Sequence, residues 1–329
     1  MTALAAQLQT YFTVFAHTQR DLSGHTIAAY RDTWRMLLTF LAASTSTRAE
    51  NLDFPDIHAE AVTAFLNHLE NDRGNSIATR NARLSAIRAV LAHAMVDHLD
   101  HAATISRVLA IPSKRHPQPM LEFLTTGEAD ALIAAPDRSR WTGRRDHALL
   151  VLAIQTGLRI SELCSLTCPD LHTGTGANVT CTGKGRRTQA TPLTSTTVAV
   201  MTAYLTERNT RPGTALFCGP HGQHLSRDAL EHRLAVHVAT AAAACASLAD
   251  KHVTMHTLRH TAAMNLLAAG VDISVIALWL GHQRTQSTDT YLHADMAIKQ
   301  AAIDRTRPPN TKPGTYHPEP GILTWLASL

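Results

Sequence analysis

The stretch "HTLRHTAAMNLL" (256–267) decides how this 329-residue chain is read. Two histidines and an arginine fall in its first five residues, and Leu258, Ala262, Ala263, Met264, Leu266 and Leu267 make the rest apolar. His256 and Arg259 are three residues apart, so on a helix they share a face while Leu258 points inward. A solvated first turn accounts for this pattern. So does a docking place for an anion, because a helix N-terminus carries unsatisfied N–H groups and partial positive charge.

Three other stretches bear on that choice. In "IQTGLRISELCSL" (154–166), Arg159 and Glu162 are again three apart, among Leu158, Ile160, Leu163 and Leu166. An arginine in apolar company needs an anion, and either Glu162 or an external phosphate supplies it. In "ANVTCTGKGRRTQATPL" (177–193), short alternating segments flank Gly183-Lys184-Gly185, which is a hairpin signal. Lys184 reads there as a plain turn lysine or as a reaching cation. It does not belong to a phosphate-binding P-loop, which needs a further upstream glycine and a following Ser or Thr. In "LWLGHQRTQSTDTYLHAD" (278–295), Gly281 is placed to close a helix, His282 follows it, and Tyr291 stands nine residues on in polar surroundings. Tyr11, Tyr30, Tyr204 and Tyr316 have no comparable companion motif. Cys164, Cys168 and His172 suggest metal ligands, but a fourth partner is lacking, so no metal is expected.

Composition narrows the classes. The apolar share of 45% is that of a globular chain. No run of eighteen apolar residues exists, and the N-terminus has no basic segment followed by an apolar block, so neither a membrane span nor a signal peptide is expected. Five cysteines without framework spacing fit a reducing cytoplasm. The net charge is only +4, so binding to nucleic acid requires positive charge focused on one face.

The chain reads as mainly α with a small β-sheet. In 23–44, Ile27, Tyr30, Trp34, Leu37, Leu38 and Leu41 recur at helical spacing behind a Ser23 cap. A shorter helix ends before Gly74. In the next, Ile77, Leu84, Ile87 and Leu91 form a stripe, with Arg80, Arg83 and Arg88 between them as a candidate phosphate-contacting face. These helices form a bundle over 1–111. "PSKRHPQP" (112–119) marks a linker over 112–120, and a Thr-capped helix with Glu128 restarts the pattern at 121. The second domain is expected over 121–304. A proline-rich tail, 305–329, closes on the apolar "GILTWLASL".

Taken in order, "TGLRISEL", "TGKGRRTQATPL", "HTLRHTAA" and "LGHQRTQSTDTYLH" resemble the motifs of the tyrosine recombinases, the phage-integrase-like enzymes that break and rejoin DNA. The resemblance covers roughly residues 121–296. The N-terminal helices, through "TIAAYRDTWRMLLTFL" and "RLSAIRAVL", are similar to that family's core-binding domain. It implies an α+β catalytic domain behind a helical DNA-binding domain. It also implies a catalytic set of Arg159, Lys184, His256, Arg259, His282 and the nucleophile Tyr291, with Glu162 and His260 supporting them. A covalent 3′-phosphotyrosine and a free 5′-hydroxyl follow, with no nucleotide or metal cofactor.

The chemistry suits those residues. A tyrosine with an ordinary pKa near 10 is a weak nucleophile and needs a proton acceptor and a polarised phosphorus. Two arginine forks can clamp the non-bridging oxygens. The implied partner is double-stranded DNA with a specific site, bound by a homotetramer on two sites. Without DNA, a monomer or weak oligomer is expected. Two other readings compete: a type IB topoisomerase, which relaxes DNA but does not exchange it, and a non-catalytic DNA-binding protein of the same fold.

Overall fold

The computed structural model describes residues 1–115, 121–182 and 188–281. The chain divides into two compact units, Met1–Gln118 and Pro119–Leu329.

In the first unit, α1 (Ala3–Thr10) runs into a π-helical stretch, Tyr11–Gln19, followed by α2 (Gly24–Thr45), α3 (Ala59–Asn71), α4 (Ile77–Ala94) and α5 (Ala102–Leu109). The side chains of Ser23 and Ser76 accept from the backbone N–H of Thr26 and Thr79, starting α2 and α4 as short polar caps do. The core joins Trp34, Leu37 and Leu41 of α2 with Phe65, Leu66 and Leu69 of α3 and Leu84, Ile87 and Leu91 of α4. Trp34 also donates its indole N–H to the Ala86 carbonyl, 3.4 Å away.

One arginine of α4, Arg80, departs from the sequence reading. Arg80 is only 3% exposed. Its Nε lies 3.6 Å from the Glu70 carboxylate, which Lys114 also meets at 2.8 Å. The reason is spacing: Arg80 stands four residues before Leu84 and seven before Ile87, on the buried stripe itself. Arg83 reaches across to α2 and donates to the Ala29 carbonyl and the Thr33 hydroxyl. Two of the three arginines expected on a phosphate-facing surface are therefore tied into the bundle. Arg88 is half-buried in the same helix.

In the second unit, α6 (Thr126–Ala134) opens with a capping box between Thr125 and Glu128. Helix α7 (Trp141–Thr156) is buried almost all round and runs through the core. After it come α8 (Ile160–Ser165) and a three-stranded antiparallel sheet of β1 (Leu171–His172), β2 (Asn178–Thr182) and β3 (Thr188–Pro192), in that order. Thr182 pairs with Thr188, so β2 and β3 flank the stretch 183–187. Lys184 lies in that stretch, outside the described residues. Helices α9 (Ser195–Arg208), α10 (Arg227–Ala242), α11 (Met255–Ala268) and α12 (Ile273–Trp279) complete the described part. Helices α11 and α7 pack together, with α12 against α11.

Candidate active site

The end of α12 is where the expected residues meet. The last carbonyls of a helix lack intrahelical partners and carry partial negative charge. Here four consecutive ones, from Leu278 to Gly281, accept side-chain donors. Gln189 of β3 donates its amide to Leu278 and Trp279. Arg259 of α11 donates to Leu280 at 2.5 Å, and Arg159 donates to Gly281 at 3.2 Å. Three segments far apart in sequence thus share one short helix end.

Each donor is itself fixed. Arg259 is 2% exposed and also donates to the Gly157 carbonyl at 2.6 Å. Gly157 closes α7 in the left-handed region, with φ 66°. A Cβ there would come within 2.8 Å of Leu280 and 3.0 Å of Ala262, so a side chain would push α7 away from α11 and α12. Arg159 sits at the cap of α8. Its backbone N–H and its guanidinium both donate to Glu162, at 2.7 and 2.8 Å. Glu162 is buried. Both anions weighed for Arg159 therefore remain in play: Glu162 takes one edge of the fork, while its side chain stays 35% exposed.

His256 stands on the first turn of α11 and is exposed, with His260 one turn on and half-buried; their rings are 4.2 Å apart. Partial withdrawal from water, then the charges of Arg259 and Arg159, hold the His256 pKa below the ordinary histidine value. His256 is therefore mostly neutral near pH 7 and able to accept a proton. For His260, burial, then the charges of His256 and Arg259, push the pKa down to about 4.

That shift makes a prediction. Between the ordinary value of 6.5 and about 4, the unfolded chain binds a proton at residue 260 that the folded chain does not. Stability therefore falls as pH drops through that window. His256 shifts in the same direction and adds to the same limb. Glu128 titrates lower. Burial raises its pKa, but bonds from Lys251, Ser247 and the Thr125 N–H outweigh this and leave it at about 2. Its contribution is lost only below the ordinary 4.5. The drop in Tm between pH 7 and pH 5 is expected to shrink in His260→Gln, read by thermal melting at the two pH values.

The structure brings together Arg159, Glu162, His256, Arg259 and His260. Lys184, His282 and Tyr291 lie outside the described residues; His282 directly follows Gly281 in the chain. Sequence reasoning missed Gln189. The signal was present: Gln189 shares the inward face of β3 with the buried Thr191, alternating with the exposed Thr188 and Ala190, and a polar side chain turned inward needs a partner. Among the described residues, no group of three or more His, Cys, Asp or Glu could hold a metal ion, and no helix is long and apolar enough to cross a membrane.

A family model described as "Phage integrase family" matches residues 122–297, more than half of the 329-residue chain. The chain belongs to the phage integrase family. A second model, "Phage integrase, N-terminal SAM-like domain", matches residues 11–98. This integrase-family chain is 45% identical over 327 residues to the putative integrase/recombinase y4rC of Sinorhizobium fredii, covering 99% of this chain and 98% of that one. It is 30% identical over 326 residues to tyrosine recombinase XerC of Pelobacter propionicus, covering 97% and 100%. Its fold is similar to that of lambda integrase, solved as a tetramer bound to a Holliday junction. There the TM-score is 0.61 at 18% identity, over 94% of this chain and 80% of that one. As a tyrosine recombinase of this family, the chain is a DNA breaking-and-rejoining enzyme that carries out site-specific recombination.

Proposed function

We propose that Tyr291 attacks a phosphodiester of double-stranded DNA at a specific site. The Tyr291 Oη–phosphorus bond forms as the bond to the 5′ oxygen breaks. The phenolic proton leaves through His256, and the 5′ oxygen gains a proton from Lys184. The products are a 3′-phosphotyrosine and a 5′-hydroxyl, and attack by a partner strand's 5′-hydroxyl reverses the step. Arg159 and Arg259 clamp the non-bridging oxygens, where charge builds up in the transition state. His282 bonds the phosphate or steadies the tyrosine. The observation that carries this reading is the convergence of Arg159 and Arg259, a hundred residues apart, on adjacent carbonyls one and two residues before His282.

The phosphodiester energy stays in the tyrosyl link, so no nucleotide is needed, and the two guanidiniums fill the electrostatic role that a metal plays elsewhere. A lambda integrase tetramer bound to a Holliday junction supports oligomeric assembly on DNA; we propose four copies on two DNA sites, and a monomer or weak oligomer when DNA is absent. A DNA substrate also favours the cytoplasm as the place of action. The tail 305–329, outside the described residues, is proposed to dock on a neighbouring copy.

A library of nicked random-sequence duplexes tests the reading. The nick lets a short strand diffuse away after cleavage, so the covalent complex accumulates. In excess EDTA without nucleotide, the protein is expected to form a denaturant-stable adduct, and the captured DNA identifies its site. An adduct that forms only when magnesium or zinc is restored would sink the metal-free mechanism. Exchange between two copies of the captured site separates a recombinase from an enzyme that only relaxes DNA.

A further inference from the structure

We infer that Gln189 is a positioning residue for strand cleavage, holding the β2–β3 hairpin to the end of α12 through the carbonyls of Leu278 and Trp279. The inference rests on the catalytic reading just given. Lys184 lies five residues before Gln189, and His282 lies three residues after Trp279. The amide of Gln189 therefore joins the two chain segments that lead to those residues.

Helix α12 needs such a clamp. It has seven residues, too few to be stable alone. Only Ile276 and Ala277 within it are buried, while Leu278 is 77% exposed. Its direction is set at its end by bonds from other elements: Gln189, Arg259 and Arg159, with the Trp279 indole N–H donating to the Thr156 carbonyl at 3.1 Å. Gly281 completes the fit. It holds φ 62°, and a Cβ there would collide with the Gln189 amide oxygen. Arg159 and Arg259 have the phosphate as well as the helix end to serve. Among the described residues, the side-chain hydrogen bonds of Gln189 go to the helix end, so its substitution changes where the helix points while leaving the proposed phosphate clamp in place.

The test uses the full chain and the DNA captured by the unaltered protein. Gln189→Glu keeps the shape but replaces the donor with a carboxylate facing the negative helix end, and Gln189→Ala removes the group. Gln189→Arg restores donors and adds a positive charge that a helix C-terminus attracts. At saturating DNA, Gln189→Glu and Gln189→Ala are expected to slow single-turnover adduct formation by about a hundredfold, the scale of a small misplacement of reacting groups. The Kd for DNA should stay unchanged and Gln189→Arg should recover the rate. Unaltered trapping by Gln189→Glu overturns the inference. So does a Gln189→Arg variant as slow as Gln189→Glu, or a slowdown that vanishes once rates are normalised to the folded fraction measured by circular dichroism. Failure of the unaltered protein to capture any DNA overturns the recombination reading itself.

Discussion

Tyr291→Phe is expected to bind the captured DNA as the unaltered protein does and to form no covalent adduct. Removing the nucleophile should lower cleavage by on the order of a millionfold, the scale seen when an enzyme's attacking group is deleted. A gel-shift assay reads the binding and a denaturing gel reads the adduct. A persistent adduct in the Phe variant would move the nucleophile elsewhere, and two of the described tyrosines, Tyr204 and Tyr11, are poorly suited to replace it. Tyr204 is buried, donates its hydroxyl to the Leu216 carbonyl at 2.8 Å, and has a pKa that burial pushes further up. Tyr11 is buried and raised in the same way, in the helical unit formed by residues 1–118.

The arginines should separate catalysis from stability. Arg159→Ala and Arg259→Ala are each expected to reduce cleavage by about a hundredfold or more, as loss of a charge stabiliser does in an enclosed site. Their effects on folding should differ. Arg259 is buried, and its loss strands the carbonyls of Gly157 and Leu280, at about 1–3 kcal/mol for each buried group left without a partner. Arg159 is partly exposed, and the backbone N–H of residue 159 still donates to Glu162 when the side chain is gone. Denaturant unfolding should therefore rank Arg259→Ala as the less stable variant, while both cut poorly. Arg259→Lys should rescue neither property well, because a single ammonium cannot span two carbonyls as the fork does. Near-normal cleavage by the lysine variant would mean that Arg259 serves the fold alone.

Much of this was legible in the sequence, because local rules governed it. Caps at Ser23 and Thr125, the hairpin on either side of 183–187 and the glycine closure at 281 all follow from residue chemistry acting over a few positions. Arg159 with Glu162 and His256 with Arg259 were visible for the same reason, being one helical turn apart. What escaped was tertiary. Arg80 has the composition of a surface cation, and only the packing of α3 against α4 puts Glu70 beside it. Arg83 needed α2 in place before its partners existed. Gln189 meets its acceptors ninety residues down the chain, beyond any motif window.

The clamp on α12 also bears on the order in which the enzyme becomes dangerous to DNA. Its bonds span 21 residues for Arg259 to Leu280, about ninety for Gln189 and 122 for Arg159 to Gly281. Contacts this distant in sequence close late, because the entropy of the intervening loops is lost before they form. A chain still emerging from the ribosome, or one that has lost the packing of its second unit, has both arginines yet nothing to aim them. On the proposed roles of these residues, the capacity to cut DNA is thereby withheld until folding of that unit is complete.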